Sequence, residues 1–338
     1  MTVDLATTYL GLPLKNPLIA SASPLSRTTG GIRALEDAGV AAIVLHSLFA
    51  EQILMGDHFY AEECGAGFQE ALSYFPRWDQ DPVGPEGYLD EIRLAKRTVS
   101  IPIIASLNGA APGEWTRYAT LIEDAGADAL ELNLYYVPAE PHVTGEAVEQ
   151  MHLDVVQEVR RSLQIPLAVK IGSAFSSLPN MAQRLVEAGA DGLTLFSQFY
   201  PPALDLESGR FGASHSLGNP DALRLPLRWI ALLSGCVPTD YALTGGVRTH
   251  EDVLKAVFAG ANVTMLASEL LQNGVGRAGA ILQDMTRWMA GHDQCSMARM
   301  RGLSRQFFAR EPAAFERAGY TKAILSNDPA RSQRGVVV

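Results

Sequence analysis

Lys170 stands inside an apolar run, LAVKIG (167–172), where an ammonium group is costly to bury unless it meets an anion or a reactive partner. Such a lysine can be a fixed positive charge beside a developing anion, or an amine nucleophile that forms a Schiff base. A third role is an ion pair with Glu131 on the neighbouring run DALELNL (128–134). Asn133 near the end of that run, and Asn108 at the end of IPIIASLN (101–108), are placed to hydrogen-bond the edge of a heterocycle. A lone asparagine there is otherwise a turn former. His46 and Ser47 close AAIVLHS (41–47), and a histidine there is either a general base or a hydrogen-bonded core residue.

A second group of residues points to an anion. Thr244-Gly245-Gly246-Val247 follows one apolar run, and Ala267-Ser268 follows the next and opens a helix. Backbone N–H groups in such turns point at a phosphate, and glycine lets the ligand approach. The competing reading is a tight turn that needs glycine for its backbone alone. The remaining histidines, at 58, 142, 152, 215, 250 and 292, are scattered, so no metal centre is expected. Cys64, Cys236 and Cys295 are odd in number and lack C-x-x-C spacing, which fits reduced thiols in a cytoplasm.

These residues need a scaffold, and a repeat supplies it. Glu36-Asp37-Ala38-Gly39, Glu123-Asp124-Ala125-Gly126, Val186-Glu187-Ala188-Gly189 and Phe258-Ala259-Gly260 each end an amphipathic helical stretch just before an apolar run. Glycine past a helix end supplies a left-handed cap, and an unbroken apolar run reads as a strand buried on both faces. With PLIAS, the two Ile-Pro runs and DYALTGG, the strands number eight: 17–21, 41–47, 102–108, 128–134, 166–172, 191–197, 241–245 and 262–268. Eight such units predict one α/β domain, a closed (β/α)8 barrel over 1–285 with a C-terminal helical extension over 286–338. An open doubly wound sheet is the alternative. The connections 48–87 and 198–225 follow strand ends and are rich in aromatic residues, which reads as pocket walls or a dimer surface.

Composition sets the outer limits. The 338 residues are 47% hydrophobic and 19% charged, with a formal net charge of −10 and no basic block, so a globular protein without a nucleic-acid or anionic-membrane partner is expected. The first nine residues show no secretory pattern, and no apolar stretch reaches the roughly 18 residues a membrane span needs.

The segment Asn16-Pro17-Leu18-Ile19-Ala20-Ser21-Ala22 resembles the opening of the dihydroorotate dehydrogenases. The resemblance runs over about residues 3–285, with Asn133, Lys170, Gly245-Gly246 and Ala267-Ser268 in the family's order along the strands. It is closest to the dihydroorotate dehydrogenase-like branch. It implies an FMN cofactor, pyrimidine biosynthesis as the family's setting, and a homodimer. Carried over, Ala20, Ser21, Ser47, Asn108, Asn133, Ser197 and Gly218 would contact FMN, and Lys170 would face the N1–O2 side of its ring. Gly245, Gly246, Ala267 and Ser268 would hold its phosphate.

Four departures concern the substrate end. The family's catalytic Cys or Ser, three residues after the strand-four asparagine, is Tyr136 here, and a phenol ionises too late to be a good base at neutral pH. The family lysine near the end of strand two is His46, the asparagine at the end of strand six is Ser197, and GFQEALSYFP (67–76) replaces the family's substrate loop. The resulting expectation is an FMN-dependent oxidoreductase acting on the CH–CH or CH–NH group of a small substrate, cyclic ones included. Tyr136 or His46 would move the proton, with Lys170 and Asn133 beside the flavin. The alternatives are a Schiff-base lyase or aldolase using Lys170 on a phosphorylated substrate, and a flavin-binding partner subunit without turnover. The chain has no G-x-G-x-x-G placed between a strand and a helix, as a dinucleotide fingerprint requires, and no iron–sulfur cysteine cluster, so a diffusible molecule or another protein is expected to accept the electrons.

Overall fold

A computed structural model of the chain describes residues 3–56, 84–110, 112–197, 203–212, 219–304 and 311–326. The chain opens with a hairpin, β1 (Thr7–Tyr9) and β2 (Leu12–Leu14), which the sequence reading did not anticipate. Its two linking residues, Leu10 and Gly11, both have positive φ, as the tight turn between right-twisted strands requires. There follow β3 (Leu18–Ala20), α1 (Thr29–Asp37), β4 (Ala42–Phe49), α2 (Ala50–Gly56), α3 (Pro85–Thr98), β5 (Ile103–Gly109), α4 (Tyr118–Asp124) and β6 (Ala129–Leu134). Next come α5 (Gly145–Ser162), β7 (Leu167–Ile171), α6 (Leu178–Glu187), β8 (Gly192–Leu195) and a second hairpin, β9 (Ala203–Asp205) with β10 (Arg210–Gly212). The chain continues with α7 (Arg224–Leu233), β11 (Asp240–Thr244), α8 (His250–Ala259), β12 (Val263–Leu266), α9 (Ser268–Asn273), α10 (Arg277–Gly291), α11 (Met297–Met300) and α12 (Pro312–Ser326).

Strands β3, β4, β5, β6, β7, β8, β11 and β12 close into an all-parallel barrel, β12 pairing back onto β3. These are the eight expected strands, five of them shorter than expected, while β4 and β5 run past the expected ends and β11 begins one residue early. The Ala-Gly repeat explains their even spacing. Gly39, Gly126, Gly189 and Gly260 all take positive φ. After each, the next residue's N–H reaches back to the same carbonyl: Val40 to Leu35, Ala127 to Ile122, Ala190 to Leu185 and Ala261 to Ala256. This is the six-to-one closure of a Schellman cap. In three units the following polar residue then anchors the start of the preceding strand. Ile103 N donates to Asp128, Leu167 N to Asp191 and Tyr241 N to Asn262, at 2.8, 2.9 and 3.1 Å.

Alternation along the strands divides the apolar residues into two shells. The outward shell, among them Leu18, Ile43, Leu130, Leu132, Val169, Leu193 and Leu243, packs against the helices. The inward shell is small: Ala42, Val44, Ile104, Ala129, Ala168, Ala242 and Val263. The space these alanines leave is filled from below by Tyr9, Leu10 and Leu14 of the first hairpin, all buried. Leu10 N donates to Asp240 at 2.7 Å and the Asn262 amide to Thr8 O at 2.8 Å, which holds the plug in place.

One irregularity matters for the site. Val44 pairs with Ile104 and Ser47 with Ser106, so Leu45 and His46 together oppose the single residue Ala105. This is a β-bulge, and it shifts the alternation by one. Ser47 and Phe49 face the interior above Val44, and His46 is turned onto α3.

The expected boundary at 285/286 falls inside α10, and Met285, Met289, Met297 and Met300 are all buried in the outward shell. Gly302 N and Ser304 N then donate to Val257 O and Phe258 O of α8. The segment through 304 is therefore continuous with the barrel packing. Among the described residues no helix is long and apolar enough to cross a membrane.

Candidate active site

The carboxyl ends of the barrel strands surround a cavity of about 430 Å³. Strand pairing assembles one of its walls. Phe49 pairs with Asn108, Asn108 with Asn133, Asn133 with Lys170, and Lys170 with Thr194. Paired residues on neighbouring strands point to the same side, so this single row projects inward. Asn108, Asn133 and Lys170 line the cavity together with Phe49.

Beneath that wall lies a polar network inside the barrel. Glu131 is 1% exposed, and its carboxylate stands 3.6 Å from Lys170 Nζ. Thr194 donates its hydroxyl to the other oxygen of Glu131 at 3.0 Å, and Tyr9 Oη lies 3.4 Å from Thr194 Oγ1. Burial, reinforced by the charge on Glu131, pushes the Tyr9 phenol above its ordinary range, so it remains a hydroxyl. Above, Ser197 donates to Asn133 Oδ1 at 2.6 Å, which orients the amide with its N–H groups free for the cavity. Ser47 and Ser106 share a hydrogen bond of 2.8 Å.

The other end of the cavity is made of turns. Gly245 and Gly246 follow β11, both with positive φ, and Ala267 and Ser268 follow β12 at the start of α9. A Cβ on Gly246 would come within 2.5 Å of Leu223 N, so only glycine lets the 219–223 segment close against this turn. That segment brings Asn219 and Ala222 to the cavity. Glu269 also lines it, and Arg277 Nε neutralises the carboxylate from 2.7 Å. An anion held here is therefore not opposed by an unpaired carboxylate.

Ten of the residues expected from sequence line this one cavity: Ser21, Ser47, Asn108, Asn133, Lys170, Ser197, Gly245, Gly246, Ala267 and Ser268. Ala20 is buried in β3 beside them, and its side chain belongs to the outward shell. Gly218 lies outside the described residues, as do Cys64, residues 57–83 of the first long connection, and residues 198–202 and 213–218 of the second. His46 and Tyr136 are not among the lining residues. His46 stands 3.5 Å from Glu91 and packs edge-on against Tyr88. Tyr135 takes the cavity position instead, because inward alternation from Asn133 falls on 135. That period was readable in the sequence, and so were Thr244 and Met265, which precede the expected turns on the inward side. Nothing in the sequence marked Asn219 or Arg248.

No family model matches the chain. A protein of Aeropyrum pernix, provisionally named dihydroorotate dehydrogenase A (fumarate), is 28% identical over 256 residues, 68% of this chain and 82% of that protein. The dihydroorotate dehydrogenase B (NAD(+)) catalytic subunit of Methanothermobacter thermautotrophicus is 24% identical over 310 residues, 89% of this chain and 98% of that protein. The protein of the same name in Pyrococcus abyssi is 25% identical over 311 residues, 89% of this chain and 99% of its own. Over most of its length the chain is thus similar to proteins named dihydroorotate dehydrogenase. The two ends of the cavity differ in how far they follow the pattern that carries this resemblance. The Gly245-Gly246 and Ala267-Ser268 turns, with Asn133 and Lys170, follow it. The three departures that fall on described residues are Tyr136, His46 and Ser197. Of these only Ser197 reaches the cavity, where it serves Asn133.

Proposed function

We propose that this protein is an FMN-dependent oxidoreductase that moves hydride between the CH–CH or CH–NH group of a small substrate and the flavin. The observation that carries this reading is one cavity with an amide-and-ammonium wall at one end and a double-glycine turn facing a helix start at the other. A flat heterocycle bearing a phosphate needs those two ends, and about 430 Å³ falls in the usual range for a ligand of that class. The donor set fits FMN. Gly245, Gly246, Ala267 and Ser268 would take the phosphate through backbone N–H groups, and Asn108, Asn133 and Lys170 would take ring acceptors.

Bound FMN would supply the hydride acceptor or donor, which no side chain can provide. This chain's residues would do the rest. Lys170 would offset negative charge on a bound ring, and the Ser197 hydroxyl keeps the Asn133 amide turned as a donor. Tyr135 stands at the cavity, and burial raises its phenol above the ordinary range, so it keeps its proton and is present as a hydroxyl at neutral pH. His46 and Tyr136, the residues in the departing family positions, would act on the proton only after the wall rearranges. The relatives' printed names make dihydroorotate the first substrate to try. A homodimer and a separate electron acceptor complete the proposal.

An absorbance spectrum of the purified protein tests this reading, taken with and without dihydroorotate under anaerobic conditions. Flavin bands that bleach confirm cofactor and substrate together, and bands that persist keep the cofactor and reject the substrate. Protein that is colourless and takes up no FMN on reconstitution overturns the proposal. The Schiff-base alternative predicts borohydride trapping of a carbonyl substrate at Lys170 and no flavin absorbance.

A further inference from the structure

Glu131 has no place in the chemistry described so far, yet it is the carboxylate buried beneath the cavity wall. It is 1% exposed, sits on β6 two residues below Asn133, and meets Lys170 Nζ at 3.6 Å. Isolated in the barrel interior, a carboxylate would be strongly disfavoured. Here one oxygen receives the Thr194 hydroxyl, and the other has no hydrogen-bond partner among the described residues and faces the ammonium. The chain of groups begins at the floor of the barrel, since Tyr9 of the N-terminal hairpin touches Thr194. Lys170 is thus reached from below by an anion that is itself held on the far side.

We propose that Glu131 is a positioning residue for Lys170: it fixes the lysine's ammonium at the cavity wall and offsets part of the positive field that the lysine presents to a bound ligand. Two consequences follow from Coulomb's law. The lysine acts as a cation in the cavity and not as a nucleophile. The electron affinity of a ring bound against Lys170 is set by the pair, so removing Glu131 makes the cavity more positive, and removing Lys170 makes it more negative. This second consequence rests on the FMN reading above, and the first does not.

The experiment has two arms for that reason. In the first, the full-length protein without added cofactor is labelled with trinitrobenzenesulfonate at a fixed, mildly alkaline pH, and modification at Lys170 is followed by peptide mass spectrometry. Glu131→Gln keeps the shape and the Thr194 contact but removes the charge, and labelling of Lys170 is expected to become several-fold faster while other lysines are unchanged. In the second arm the FMN-loaded protein is titrated for its midpoint potential. Glu131→Gln is expected to raise the potential and Lys170→Met to lower it, and a purely structural Glu131 would move the melting temperature and leave the potential alone. Glu131→Asp draws the carboxylate back by one methylene without discharging it. It is expected to change both readouts in the same direction and less, and it carries the test if Glu131→Gln does not fold. Unchanged labelling in both variants overturns the proposal. A protein that binds no FMN but shows the labelling change overturns the proposed function and leaves the ion pair standing.

Discussion

His152 shows what a single buried side chain can impose on the whole protein. It lies on the inner face of α5, 5% exposed, edge-on to Phe175 with ring centroids 6.0 Å apart, and neither ring nitrogen meets a hydrogen-bonding partner among the described residues. Burial lowers its pKa from the ordinary 6.5 to about 4, because the imidazolium would have to give up its hydration. The unfolded chain therefore takes up a proton below pH 6.5 that the folded chain refuses until about pH 4. Stability from this residue is complete above 6.5 and is lost as the pH falls toward 4, by up to about 3 kcal/mol at roughly 1.4 kcal/mol per unit. Urea unfolding at neutral and at mildly acidic pH should show that loss, and His152→Leu should flatten it. A loss of the same size in His152→Leu would mean that another group titrates. Residue type and spacing announced Lys170, Asn133 and the glycines, because an apolar run with one cation in it is conspicuous. They misdirected at Tyr136 and His46, since the side a residue faces depends on strand register.

At the scale of elements, the turn between β11 and α8 is the most constrained piece of the site. Gly246 has φ +75, and an added Cβ meets the Leu223 backbone at 2.5 Å. Gly246→Ala is expected to cost about 1–3 kcal/mol and to weaken uptake of a phosphate-bearing ligand more than uptake of its unphosphorylated analogue. Comparing FMN with riboflavin by fluorescence quenching measures this, and equal losses for the two would remove the turn from the phosphate site. The helix after that turn begins with a capping box, in which Thr249 Oγ1 accepts from Asp252 N and the Asp252 carboxylate accepts from Thr249 N. Thr249→Ala should lower stability by about 1 kcal/mol in thermal unfolding without moving the cavity residues. The barrel itself was legible because its helix ends repeat one chemical solution, the Ala-Gly cap followed by a polar residue that ties down the neighbouring strand. The two antiparallel hairpins were not, because strands of three residues are too short to show alternation against the longer signals around them.

For the whole molecule, the N-terminal hairpin decides whether the barrel has a floor. Tyr9, Leu10 and Leu14 are each 3% exposed or less, and they fill space that the inward residues of six strands leave open. At about 1.5–3 kcal/mol for each fully buried side chain, their removal takes away roughly 5–9 kcal/mol, which rivals the 5–15 kcal/mol net stability of an ordinary domain. A chain lacking residues 1–15 should therefore fail to give a cooperative melt by circular dichroism, and a truncated protein that melts like the full chain would show that the floor is dispensable. The bulge in β4 has the opposite character. A strand in a closed ring cannot slide past its neighbours, so a change in its length ordinarily disturbs every contact above it. Here Val44 and Ser47 already occupy the inward places on either side of the extra residue. Loss of the single codon for His46 would restore even alternation and leave Ser47 and Phe49 where they are. The barrel thus carries one slot in which evolution can insert, exchange or delete a side chain on its outer side without editing the ligand cavity.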